Sequence, residues 1–207
     1  MSTERLDAVS ARDLEKAAAY QFVALLFLPP TGDVRGELGA LAGVLGERLR
    51  ADGEALAAAL GPAAEHEYHA LLGASGRCRD CESDYQVNAL GGKGPLIADV
   101  AGFYRAFHFP ADRLHLAPDH VAVELEFLAF LALKAAYAHH TGLGEERAIC
   151  LEAAAHFAAD HLGRWLPELL ARLEAAAGDS FYGRAAHFAG RALDAFTQEA
   201  ALEHNPG

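Results

Sequence analysis

The 207-residue chain is short of positive charge: 17 Lys and Arg stand against 29 Asp and Glu, a formal net charge of −12. A phosphate backbone would find little attraction on such a protein, so nucleic-acid binding is not expected and cationic partners are favoured. Cysteine is scarce and odd in number, three in all, which makes no disulfide framework of the secreted kind. No basic-then-apolar leader precedes the first helical stretch, and the reading is a cytoplasmic protein. Long apolar runs are missing as well. The longest near the N-terminus, residues 17–28, contains Gln21 and falls short of the roughly 20 residues needed to span a bilayer, so no membrane span is expected. Strand-like alternation and internal repeats are also absent. What remains is an all-α chain, long enough for one globular helical domain over residues 1–207 whose core needs no disulfide or metal to hold it.

The helical pattern is clearest at residues 118–133, where Val121, Val123, Leu125, Phe127, Leu128, Phe130, Leu131 and Leu133 fall on every side of a 3.6-residue helix. A helix apolar all round belongs inside a protein, so this stretch is expected to be central. Pro118 suits its first turn and Asp119 the positive end of its dipole. Around it, Ser10 to Asp13 reads as a cap for a first helix ended by Pro29-Pro30. Residues 34–60 read as one or two weaker helices broken near Asp52-Gly53, and residues 63–72 as another. Residues 73–95 lack apolar periodicity and read as a long loop. Residues 96–107, 145–162, 167–177 and a last helix to about 202 complete a set of eight or nine, with a frayed tail at 203–207.

Few residues form a chemical constellation. Cys78 and Cys81 have the spacing of half a zinc site, and His66 and His69 share a helical face just before them, so a zinc-stabilised module using these four is one alternative. His120 and Glu124, four residues apart, offer a second metal or acid/base pair. The bland reading of His120 is a helix-start residue bonded to nearby backbone. Glu126 sits about 200° of helical rotation from Glu124 and does not pair with it. Gly91-Gly92-Lys93-Gly94 fails as a phosphate loop, because Gly94 follows the lysine where Ser or Thr is required and Val87 replaces the first glycine.

Five short elements carry a resemblance. Tyr20 through Pro30, Glu82-Ser83-Asp84-Tyr85, Phe103-Tyr104-Arg105-Ala106-Phe107, Pro118-Asp119-His120 followed by Glu124 to Leu128, and His161 to Pro167 with Trp165 inside it stand in the order found in the TorD/DmsD/NarJ family of molybdoenzyme chaperones. The sequence resembles that family over most of its length; His108 stands where the family usually has glycine. The resemblance implies a TorD-like fold, no catalytic turnover and no cofactor of its own. It implies binding of the twin-arginine leader, or the apo catalytic subunit, of a molybdopterin-dependent oxidoreductase before export. The site residues it implies are Asp119 and His120, then Glu124 and Tyr20, with Glu82, Asp84, Tyr85 and Tyr104. The acidic ones would rim a groove that the aromatic ones wall. The Glu82 to Tyr85 element leans toward the branch serving enzymes of the dimethyl-sulfide, chlorate, selenate or ethylbenzene dehydrogenase type. A monomer or a domain-swapped dimer is expected.

Overall fold

The computed structural model describes residues 7–31, 33–73, 75–86 and 92–203, and of residues 195–203 the backbone alone. Among the described residues there are nine α-helices and no strand. They are α1 (Ala8–Leu26), α2 (Val34–Ala42), α3 (Glu47–Ala59), α4 (Pro62–Leu71), α5 (Lys93–Ala106), α6 (Val121–His140), α7 (Gly144–Phe157), α8 (Gly163–Ala177) and α9 (Phe181–Glu203). The all-α expectation holds. Of the phosphate-loop motif, Val87 and Gly91 lie outside the described residues, as do residues 204–207 of the tail.

The helix starts differ from the sequence reading for identifiable reasons. The cap of α1 is Asp7, whose carboxylate accepts the amides of Val9 and Ser10. Ser10 and Asp13 are instead buried within the helix, and Asp13 meets Arg147 of α7 at 3.0 Å. The break in the 34–60 stretch falls at residues 43–46 rather than at Asp52-Gly53. Gly53 lies inside α3 because a Cβ there would come within 2.6 Å of Leu45 Cδ1; the glycine serves close packing, not a turn. Helix α5 begins at Lys93, three residues before its expected start.

Two further corrections bear on function. Pro118 and Asp119 precede α6 instead of opening it. The amide of Glu82 donates to the Asp119 carbonyl (2.9 Å) and the amide of Val121 donates to the Asp80 carbonyl (2.8 Å), so the backbone here is committed to a short antiparallel pairing of Cys81 with His120. The helix can start only once that pairing ends. The second correction concerns 145–177, expected as two helices. Helices α7 and α8 run on through a π turn at Ala158–Leu162, with Pro167 inside α8. A proline in a helix interior removes one ladder bond and crowds the carbonyl four residues back; the widened turn just upstream resets the ladder. Gly163 closes it, since a Cβ there would lie 2.8 Å from the Ala158 carbonyl oxygen.

Helix α6 is the axis of the core: from Val121 to Leu128 every residue is buried, the two glutamates included. Its all-round apolar character does not persist, because Leu133 and Tyr137 are exposed on the second half. Phe127 sits in a ring of aromatics from α5 (Phe103, Tyr104), the following turn (Phe107, Phe109) and α7 (Phe157), with centroids 4.9–6.5 Å away. Helix α1 packs along α6, with Ala19, Phe22, Val23 and Leu26 among its buried residues. His108, in the turn after α5, has φ 56°, the left-handed conformation that a glycine would adopt with less strain.

Candidate functional site

The polar residues concentrate where residues 79–86, a short strap, cross the start of α6. The backbone pairing described above fixes the register, and a single 3-10 turn, Glu82–Asp84, follows it. That turn is capped from the opposite segment: Asp119 Oδ2 accepts the Ser83 amide at 3.0 Å. His120 caps α6 itself, its Nδ1 accepting the Ala122 amide at 3.1 Å. Because Nδ1 is an acceptor, Nε2 carries the proton, and it points at Asp80 Oδ2 3.3 Å away. Asp119 and His120 thus each close one orphaned helical end.

Behind this pairing lies a buried layer. Glu82 and Glu124 are 1% and 0% exposed. His161 Nδ1 donates to the Glu82 carboxylate (2.9 Å to Oε2), and Gln86 Nε2 donates to its Oε1 at 2.6 Å. Trp165, one helical turn beyond His161, donates its indole N–H to Glu124 Oε2 at 3.2 Å. Burial, reinforced by the Glu82 charge, holds the Glu124 carboxyl well above the usual carboxylate range, against the opposing pull of the Trp165 hydrogen bond. Tyr104 of α5 donates to the Pro118 carbonyl at 2.8 Å. Burial and the charges of Glu124, Asp119 and Glu82 raise its hydroxyl as well.

The outer face of the strap is more open. Tyr85 donates to the Arg79 carbonyl at 2.7 Å, packs its ring 5.3 Å from Trp165 and lies under the Arg172 guanidinium. Its hydroxyl is pushed up to about 12, chiefly by burial. Asp84 is exposed and pairs with Lys93 at 2.8 Å. Next to the cluster an apolar groove of about 300 Å³ runs between α5 and α7, lined by Phe103, Phe107, Ile149 and Ala153 with Glu152 and His156 at its edge. Phe103 joins the two features, since its ring also contacts His161 at 5.7 Å.

Seven of the eight residues singled out in the sequence, Glu82, Asp84, Tyr85, Tyr104, Asp119, His120 and Glu124, therefore meet around the strap. Tyr20 is buried on α1 within the core. The acidic residues do not form an open rim as the strap sits: Glu82, Asp119 and Glu124 are buried, because each serves a hydrogen bond that ties the strap down, and Asp84 alone of the four is exposed. The carboxylate pairing is as expected, with Glu126 turned away from Glu124 to Arg113, 3.0 Å distant. Reasoning from sequence missed Asp80 and Gln86. It quoted His161 and Trp165 only as a motif, although two polar-tipped side chains four apart on one helical face were the available signal.

The metal alternatives find no support. Among the described residues no group of three or more His, Cys, Asp or Glu is arranged to hold an ion. His66 and His69 are exposed on α4 while Cys78 is buried. Burial and the charges of Asp119, Asp80 and Asp84 push the Cys81 thiol up to about 12. His120, with extended backbone at the helix cap, is not on the helical face it was expected to share with Glu124.

Residues 32–171, which contain the strap, the start of α6 and the His161 to Trp165 turn, match the family model described as nitrate reductase delta subunit. The chain belongs to the nitrate reductase delta subunit family. This is the group of NarJ- and TorD-type chaperones that its motifs resemble. The chain is 37% identical over 88 residues to the chlorate reductase assembly chaperone protein of Ideonella dechloratans, covering 41% of this chain and 43% of that one. It is 38% identical over 96 residues to the selenate reductase assembly chaperone protein of Thauera selenatis, covering 45% and 47%. The matched stretch thus spans less than half of each relative. No solved structure matches the chain.

Proposed function

We propose that this chain is a cytoplasmic assembly chaperone for the catalytic subunit of a molybdopterin-dependent oxidoreductase, gripping its twin-arginine leader, its apo body or both until the cofactor is inserted. The observation that carries this reading is the convergence of the strap, the Asp119-His120 step and the His161 to Trp165 turn on one place in a chain of this family. The two relatives, named as chlorate and selenate reductase assembly chaperones, support a client of the same broad enzyme class. No helix of the described residues is long and apolar enough to cross a membrane, and the reading asks for none.

A leader of this kind joins two arginines to an apolar stretch, so its receptor needs an apolar path beside carboxylates. The α5/α7 groove supplies the path. Glu152 at its edge and Asp84 on the strap are reachable from solvent, whereas Asp119, His120, Glu82, Glu124 and Tyr104 come within reach when the strap moves. With a net charge of −12, the field also has the sign that attracts a cationic peptide.

Calorimetric titration with a synthetic twin-arginine leader tests this. Changing both arginines to glutamine is expected to weaken binding roughly tenfold to hundredfold, the magnitude of losing charge-assisted hydrogen bonds. Rising salt weakens the native peptide selectively, and Asp119→Ala lowers affinity with helicity retained. Equal affinity for the two peptides would remove the acidic site from the reading.

A further inference from the structure

We propose that Glu82 and Glu124 form a carboxyl–carboxylate pair sharing one buried proton, and that this proton is the latch holding the strap at residues 79–86 against the start of α6. The geometry points to it. Glu124 Oε2 takes the Trp165 indole N–H, but Oε1, fully buried, has no donor to accept from, and the Glu82 carboxyl lies within hydrogen-bonding reach of the Glu124 carboxyl. Two ionised carboxylates cannot hydrogen-bond to each other, because both are acceptors only; with one proton between them they make a short, strong bond. The donors around Glu82, His161 Nδ1 and Gln86 Nε2, favour leaving the charge on Glu82 and the proton on Glu124.

The surroundings from each packed element favour one negative charge at this place, not two. From the strap itself come Glu82 and, farther out, Asp80 and Asp84. From the segment before α6 comes Asp119, whose charge acts on Glu124. From α5 come the Tyr104 hydroxyl and Asp99, the latter 3.5 Å from His161 Nε2 but outside hydrogen-bonding geometry. From the π turn comes His161, and from α8 the indole of Trp165; the Phe103 and Phe157 rings that also line the site carry no charge. Glu82 belongs to the strap and Glu124 to α6. Removing the shared proton therefore sets a repulsion directly across the joint that Asp119, Ser83 and the Cys81–His120 pairing hold shut.

The sign follows from proton linkage. The closed strap keeps the proton on Glu124 above the pH at which a solvated carboxyl loses it, so closure is favoured most at low pH. It weakens as pH rises from about 4.5 toward the raised value, by up to about tenfold in the opening equilibrium per pH unit, and then levels off. Opening uncovers Asp119 and His120. That consequence rests on the leader-binding reading; the latch itself concerns the chain alone and is tested without any partner.

The test uses the full chain at neutral pH. Infrared spectroscopy of the wild-type protein is expected to show the C=O stretch of a protonated carboxyl, absent from Glu124→Gln. Hydrogen exchange of the 79–86 segment, corrected for intrinsic exchange rates, is expected to show protection falling severalfold to tenfold per pH unit between pH 5 and 7. In Glu124→Gln, whose amide donates to Glu82 permanently, protection should be independent of pH. A wild-type spectrum with no protonated carboxyl, accompanied by an imidazolium His161 in nitrogen NMR, would place the proton on the histidine and overturn the proposal. So would the same pH dependence of strap protection in both proteins.

Discussion

Phe127→Ala is expected to be the most damaging single truncation in the chain, lowering unfolding free energy by about 3–5 kcal/mol and the melting temperature by roughly 10 °C. Phe127 is fully buried, and five aromatic rings from α5, the turn after it and α7 surround it within 6.5 Å. Removing the ring leaves a space that those neighbours cannot fill together, since they are held on three separate segments and Tyr104 is tied to the Pro118 carbonyl. The same ring wall backs the α5/α7 groove through Phe103 and Phe107, so loss of stability should be accompanied by loss of apolar ligand binding. Chemical denaturation checks the first part; Phe127→Leu, which keeps most of the volume, should recover more than half of the loss.

The second large effect is expected at His161. Replacing it with alanine removes the donor to a buried carboxylate and a ring packed against Phe103 and Phe157. Breaking one side of a buried, hydrogen-bonded pair typically costs about 3–5 kcal/mol, because the remaining charge is left without its partner. Gln86 still donates to Glu82, which places His161→Ala toward the lower end of that range. A cycle of His161→Ala with Glu82→Gln, read by denaturation, is expected to give a coupling of roughly 0.5–3 kcal/mol. Additive effects would detach the two residues from one another.

What the sequence made legible divides along physical lines. Helix α6 was readable because an apolar run with no polar face has only one place to go, and the grouping of Glu82, Tyr104, Asp119, His120 and Glu124 was readable through ordered motifs. The burial of those carboxylates was not. A glutamate in a helix is ordinarily solvated, and nothing local in residues 118–126 announces that a strap some 36 positions earlier in the chain will donate backbone bonds to it. The same long-range pairing moved the start of α6 from Pro118 to Val121. The π turn escaped notice because Pro167 has two local readings, a first-turn residue or a tolerated interior one, and only the run-on geometry through Gly163 decides between them. Asp13 read as a cap by position, but its carboxylate is held across the fold by Arg147; a cap and a buried ion pair look alike in sequence.

Co-elution on a sizing column addresses the chaperone reading most directly. The full chain is mixed with the catalytic subunit of a molybdopterin-dependent reductase from the same organism, prepared with its leader in the cofactor-free and the cofactor-loaded forms. The expected result is a stable complex with the cofactor-free subunit, weakened when the leader arginines are replaced and lost once the cofactor is in place. Equal retention of the loaded and the cofactor-free subunit, or no complex with either, would contradict a role in assembly.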